Sequence, residues 1–260
     1  MGKDFMTPLS IYVLTFNSEQ YLQAILQAVA GLADDLLVVD SGSKDRTVDI
    51  ARECGARVVH RKFDDFRQQR DFAQQQCVHD HVFFLDSDEI PSPELVAHLQ
   101  ELKQSGFQHD AYAIQRDWIV MGRQVHALYP VGCPDFPVRI IEKNRVRLSE
   151  QAVHEDFVGY RSRGRIALPI KHQTFHSMAE INRKLELYTN LDASDLARMS
   201  TRKNFALRQW TSPVGAFFKW YVKSGNWKDG RVGLILGVYA ARFAHQKYKK
   251  ALRIRRESRV

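Results

Sequence analysis

Short apolar runs alternate with amphipathic stretches through the first half of the chain. The run LSIYVLT, starting at Leu9, predicts a buried strand. Over 19–30 the apolar positions recur at helical spacing, with Ser18 placed to cap that helix. LLVVD is a second short strand, ending on Asp40. The turn SGSKDRT leads into a helix through Cys54, and ARVVH is a third strand. Residues 67–77 predict a helix, HVFFLD a strand ending on Asp86, and 92–104 another helix capped by Ser92. This alternation predicts βαβ units and a mostly parallel sheet with helices on both faces. Such sheets bind ligands beyond the carboxyl ends of their strands, so Asp40 and Asp86 are expected to face one crevice.

The pattern then changes. Residues 111–171 read as short strands and turns, among them AYAIQRDWIV, PVRIIE and RIALPIKH. Helical spacing returns over 178–199, and 204–248 is rich in aromatics, glycine and positive charge. The expected organisation is an α/β catalytic domain at 1–178 and a C-terminal helical region at 179–260. With 260 residues, 44% of them hydrophobic, the chain holds enough apolar material for one sizeable core or for a domain with an appendage. Cys54, Cys77 and Cys133 share no close spacing, which excludes a CxxC metal or redox pair and suits a reducing compartment. The N-terminal apolar run lacks a small-residue cleavage site and reads as the first strand, not as a signal peptide.

Charge alters the view of the chain's end. The net charge is +8, and residues 242–260 hold eight lysines or arginines against one acid. A basic tail attracts nucleic acid or anionic lipid. Here the charge is interleaved with apolar residues, which suits a membrane better than a duplex. The longest uncharged stretch, VGLILGVYAA, has ten residues, about half of what a spanning helix needs. Trp210, Trp220 and Trp227 lie close to Phe217, Phe218 and Lys219. That set describes a helix in the membrane interface, helices that close the core, or both on opposite faces.

The candidate chemistry sits in FFLDSDE. Carboxylates at the end of a buried strand are costly unless something compensates them. A divalent cation with hard oxygen ligands, Mg2+ or Mn2+, is the usual compensator. In an extended segment Asp86 and Asp88 point to one side and Ser87 to the other. The alternative is a solvated turn with Glu89 as an early helix acid.

The segments VLTFNSEQYL, VVDSGSKDRTVDIA, FRQQRDFA and FFLDSDEIPSPEL follow one another on alternating strands and helices. Their order resembles the nucleotide-sugar-binding half of inverting glycosyltransferases of family 2, which have the Rossmann-like GT-A fold, and the resemblance covers 9–176. It implies that Asp40 binds uracil, with Thr15, Asn17 and Ser41 beside the nucleotide and Arg70 as a basic neighbour. Asp86 and Asp88 would bind ribose, diphosphate and a Mg2+ or Mn2+ ion. His172 either completes that metal site or serves the fold. In EQAVHEDF the resemblance implies Glu155 as general base with Asp156 as the alternative, and His154 orients a neighbour. Arg139 would meet phosphate or acceptor. Trp118 either stacks on a sugar or belongs to the core. The His-Glu pair and NWKDGRVG resemble the subset that builds the lipopolysaccharide core. That subset implies transfer from UDP-glucose or a related UDP-hexose to an inner-core heptose, with a β-1,4 linkage. The acceptor would be lipid-anchored, on the cytoplasmic face of a bacterial inner membrane. Another lipid-linked glycan or a protein side chain would need the same chemistry. A nucleic-acid-binding protein would not place Asp40, Asp86 and Asp88 at the mouth of a phosphate site.

Overall fold

A computed structural model describes residues 6–149, 157–199 and 204–257. The chain divides into two compact units, one of Met1–Arg116 with Phe136–His172, the other of Asp117–Asp135 with Gln173–Val260. The division is discontinuous in sequence, and the expected boundary after 178 lies a few residues beyond its last crossing.

The first unit opens with β1 (Leu9–Thr15), α1 (Glu19–Val29), β2 (Asp35–Asp40), α2 (Thr47–Glu53), β3 (Arg57–His60), α3 (Phe66–Gln76), β4 (His81–Asp86), β5 (Glu89–Pro91) and α4 (Pro93–Ser105). Strand β6 (Ala111–Val120) runs on into the second unit, which holds the two-residue strands β7 (Arg123–Gln124), β8 (Ala127–Leu128) and β9 (Val131–Gly132). After these come β10 (Val138–Glu142), the short pair β11 (Arg147–Leu148) and β12 (Phe157–Val158), and β13 (Arg163–Phe175). The main sheet runs β3-β2-β1-β4-β10-β6-β13-β5. Strands β1 to β4 pair in parallel, whereas β10 is antiparallel to β4 and β6, and β5 is antiparallel to β13. The sheet is therefore mixed, not mostly parallel. Parallel pairing stops where the intervening helices stop, because a parallel neighbour needs a long crossover.

Both faces of the parallel half are covered, which is why its strands read as continuous apolar runs. Ile11, Val13, Phe83 and Leu85 enter one cluster with Leu22, Ile25 and Leu26 of α1. The alternate residues Tyr12, Leu14, Val82 and Phe84 enter the other with Ala73 of α3. Ser92 caps α4 as expected, accepting from the Leu95 N–H. Ser18 does not cap α1. Its hydroxyl instead accepts from the Phe16 N–H at 3.1 Å and lies 2.9 Å from the Ser87 hydroxyl.

In the second unit α5 (Met178–Met199) and α6 (Phe205–Phe217) precede a π-helical turn (Phe218–Lys223), a 3-10 turn (Asn226–Asp229) and α7 (Gly230–Glu257). The basic segment is thus helical through Glu257, and Ala251 packs with Phe205 and Ala193. No helix among the described residues is long and apolar enough to cross a membrane. Trp118 is half-buried against this unit's core and donates to Asp135 at 2.9 Å, so it serves packing. Buried Asn226 brackets one residue of β8, accepting from the Ala127 N–H at 2.8 Å and donating to its carbonyl at 2.9 Å. Asp229 accepts from the His126 N–H at 2.9 Å and holds its ring Nδ1 at 2.7 Å. A Cβ on Gly233 would lie 1.7 Å from the Asn226 carbonyl oxygen, so α7 can approach this turn only with glycine there.

Asn226→Ala leaves two buried backbone groups without partners and is expected to cost about 2–4 kcal/mol. Chemical denaturation measures it. A loss within about 0.5 kcal/mol of zero, the range of an ordinary surface substitution, would show that the bracket is not structural.

Candidate active site

The carboxyl ends of β1, β2 and β4 lie side by side, since Thr15 is in register with Asp40, and Leu14 with Asp86. Asp40 is buried at the end of β2. Its Oδ2 accepts the Gly42 and Ser43 N–H groups, both at 2.9 Å. Its Oδ1 accepts from the Thr15 hydroxyl at 3.1 Å and from the Ser43 hydroxyl. A carboxylate offers about four acceptor positions, and here Thr15 at the end of β1 and the loop after β2 fill them. Burial pushes the Asp40 carboxyl up, but the Ser43 and Gly42 donors outweigh it and hold the group below the usual range. Asn17 takes a left-handed conformation at φ 50, which asparagine tolerates. It donates its N–H to the Ser43 hydroxyl at 2.8 Å and accepts from the Lys44 N–H at 2.9 Å. The Ser41 hydroxyl accepts from the Gln69 side chain at 3.1 Å. Thr15, Asn17, Asp40 and Ser41 are thus brought together by the adjacent ends of β1 and β2 and the segments that follow them.

The DSD segment is not extended throughout, because Asp86 ends β4 and Ser87 and Asp88 form the turn to β5. Its two aspartates consequently meet different partners. Asp86 takes Arg70 at 2.9 Å on one oxygen and Arg139 at 3.3 Å on the other. Asp88 takes His172 Nε2 at 3.2 Å. Pairing of β5 with β13 sets His172 opposite Glu89, which delivers the imidazole to this turn.

The alternative of a solvated turn with Glu89 as an early helix acid does not hold. The Glu89 side chain is fully buried in β5. Arg139 grips it with two bonds of 2.6 and 2.9 Å, and Arg116 adds one of 3.2 Å. It also accepts the Asp86 N–H at 3.3 Å. Arg139, expected at phosphate or acceptor, is buried with its fork turned onto Glu89. Both Arg70 and Arg139 lie over the Phe84 ring at 5.3 Å. Burial pushes Asp86 and Glu89 up, yet Arg70 and Arg139 at Asp86, and Arg139 at Glu89, prevail and hold both carboxyls below their ordinary values. Burial pushes His172 down, but the bond and charge of Asp88 outweigh it and raise the imidazole. The signals that point to Glu89 are the third acid in LDSDE and the arginine in QRDW, which only the fold brings together.

Three predicted metal donors were Asp86, Asp88 and His172. Among the described residues no group of three such side chains gathers as a metal site. Asp86 belongs to the arginines, while Asp88 and His172 remain as a facing carboxylate and imidazole. Two protein donors fit a Mg2+ or Mn2+ ion that completes its shell on diphosphate and water. The expected base, Glu155 or Asp156, and the neighbouring His154 lie outside the described residues.

A model described as glycosyl transferase family 2 matches residues 10–165. That is more than half of the chain, which therefore belongs to glycosyltransferase family 2. An uncharacterized glycosyltransferase of Rickettsia conorii is 25% identical over 99% of this chain and 93% of its own length. The lipopolysaccharide core biosynthesis glycosyltransferase LpsC of Rhizobium meliloti is 26% identical over 91% of this chain and 89% of its own. Among solved structures, glucosyl-3-phosphoglycerate synthase from Mycobacterium tuberculosis in complex with phosphoglyceric acid aligns with a TM-score of 0.52. That alignment covers 76% of this chain and 82% of the other at 20% identity, a likeness of fold.

Glu89→Gln keeps the shape of the side chain and removes its charge. Two arginines are then left facing a neutral amide, at an expected cost of about 3–5 kcal/mol near neutral pH. Because Asp86 and Glu89 titrate below their unfolded values, their contribution is full above about pH 4.5 and is lost as pH falls through the folded values. Denaturant unfolding across pH should show a shallower acid decline for the variant. Identical acid limbs would remove Glu89 from the account.

Proposed function

We propose that this glycosyltransferase moves a hexose, glucose in the first instance, from a UDP-sugar to an inner-core heptose of a lipid-anchored lipopolysaccharide. The linkage is β-1,4, the reaction inverts the anomeric carbon, and the site of action is the cytoplasmic face of the bacterial inner membrane. The observation that carries the donor half is the row of strand ends. A fixed loop around Asp40, the arginine-held Asp86 and the Asp88–His172 pair lie at neighbouring carboxyl ends of one sheet. Likeness to LpsC over most of both chains supports the acceptor half.

In this reading Thr15, Asn17, Asp40 and Ser41 take the uridine end of the donor. Asp40 acts by holding the loop in shape. Arg70 is the basic neighbour of the nucleotide in this reading, and its bond to Asp86 keeps that carboxyl ionised. Asp88 and His172 would hold the divalent cation, which when bound would supply positive charge against the nucleoside diphosphate leaving group. Glu155 accepts the proton of the acceptor hydroxyl on the opposite face of the sugar, with Asp156 the alternative. Inversion follows from a single in-line displacement, because no covalent sugar–enzyme bond intervenes.

Asp88→Ala should lower turnover by about 10³-fold or more while leaving the fold intact. Full transfer in EDTA, or a near-normal rate for the variant, would end the metal assignment. Glu155→Gln should lower turnover by about 10² to 10⁴-fold with little change in UDP-sugar affinity. If Asp156→Asn is the inactive variant and Glu155→Gln is not, the base is Asp156. A donor screen with purified protein, Mn2+ or Mg2+ and deacylated core acceptor tests the reading as a whole. Transfer of no UDP-hexose to that acceptor would overturn it.

A further inference from the structure

The second unit carries an outward face that is apolar where a surface helix is ordinarily polar. Along α6 and the π-helical turn, Leu207, Trp210, Val214, Phe218 and Val222 are all exposed, Trp210 at 68% and Phe218 at 60%. Leu207, Trp210, Val214 and Phe218 recur every three or four residues and so share one side of the helix, and Val222 follows them, exposed, in the π-helical turn. Helix α7 extends this face. Val238 and Ala241 join Val214 and Phe218 around an apolar groove of about 320 Å³, and Val238 and Leu234 are themselves exposed. Scattered exposed apolar residues need no explanation, but a continuous ridge does. The ridge cannot turn inward, because Trp220, Leu236, Tyr239 and Phe243 already fill the interior positions of these elements.

Charge selects the occupant. Residues 204–257 hold twelve lysines and arginines against two acids. Both acids are engaged, Asp229 with His126 and Glu257 with Arg253. Lys219 and Lys223 directly follow Phe218 and Val222 in sequence and are exposed. A second copy of the chain would bring the same positive charge to the contact. A polyanion such as RNA would answer the charge and leave the ridge in water. An anionic bilayer answers both.

We propose that the α6–α7 ridge is a docking surface for an anionic lipid bilayer. Trp210, Val214 and Phe218 enter the boundary between head groups and acyl chains, and Lys219 and Lys223 meet lipid phosphates. This deepens the reading of a lipid-anchored acceptor and relocates the anchor. Leu236, Tyr239 and Ala240, in the apolar segment of α7, are buried in the unit's own core. The basic end of α7 is tied down as well, with Lys250 bonded to Glu186 and Thr189. Cutting the chain after Ala241 would remove core residues and is no test of docking.

The test uses the full chain, Val214→Ser/Phe218→Ser, and Lys219→Glu/Lys223→Glu. All four side chains are outside the core, and circular dichroism and thermal midpoints verify folding. The probes are phosphatidylcholine vesicles with and without phosphatidylglycerol, at low and high salt. Wild type should pellet with the anionic vesicles. Each double variant should lose at least about tenfold in partitioning, and the lysine variant should also lose most of the salt dependence. Unchanged pelleting of both variants overturns the proposal. So does wild-type binding that ignores lipid charge, retention on RNA in place of vesicles, or a solution dimer that Val214→Ser/Phe218→Ser dissociates. Transfer to soluble acceptor is measured in parallel. Vesicle binding without transfer leaves docking standing and removes the functional reading, and transfer without vesicle binding does the reverse.

Discussion

Arg139 and Glu89 form the buried contact on which the donor side of the first unit depends. A guanidinium and a carboxylate out of water are tolerable only with each other. Glu89 sits on β5, Arg139 on β10 and Arg116 on β6, and Glu89 also receives the N–H of Asp86 at the end of β4. One carboxylate therefore ties four strands at the place where parallel pairing gives way to antiparallel. The Arg139 Nη2 that bonds Glu89 also donates to Asp86, which ties the charge of the turn to this pair. The same strand β5 pairs with β13 and so carries His172 to Asp88. Packing and site chemistry here rest on the same side chains.

Much of the first unit could be read directly. Alternating apolar runs and helical stretches gave β1 to β4 and their helices, and the acids at the ends of β2 and β4 announced the crevice. What escaped was whatever depends on partners distant in sequence. PVRIIE reads as a strand, but its direction is set by the lack of a crossover helix before it. Glu89 looks like a helix acid in isolation. Its burial makes sense only beside Arg116 and Arg139, at separations of 27 and 50 residues. Ser18 has the chemistry of a cap, yet its hydroxyl is claimed by Phe16 and Ser87.

The second unit was harder for a different reason. Pro213 within α6 has no N–H to give to the Gln209 carbonyl four residues earlier. The His245 ring reaches that carbonyl at 3.0 Å, so its Nδ1 carries the proton. The π-helical turn that follows then shifts the helical phase. Through two such interruptions no single periodicity tells which tryptophan is inside. Trp220 is buried, whereas Trp210 and Trp227 are exposed. NWKDG is equally opaque in sequence. Its lysine and tryptophan face solvent, while its asparagine and aspartate do the holding.

That holding has a consequence in time. His126 and Ala127 find their polar partners 103 and 99 residues later in the chain, at Asp229 and Asn226. A ribosome adding about 5–20 residues per second needs about 5–20 s to cover that interval. The first unit has all its residues once His172 is made. The hairpin of β8 and β9 emerges early and stays without its clasp until the last helix begins. Synthesis thus imposes an order on the molecule, with the donor-binding sheet able to form while the unit bearing the apolar ridge still awaits its closing turns.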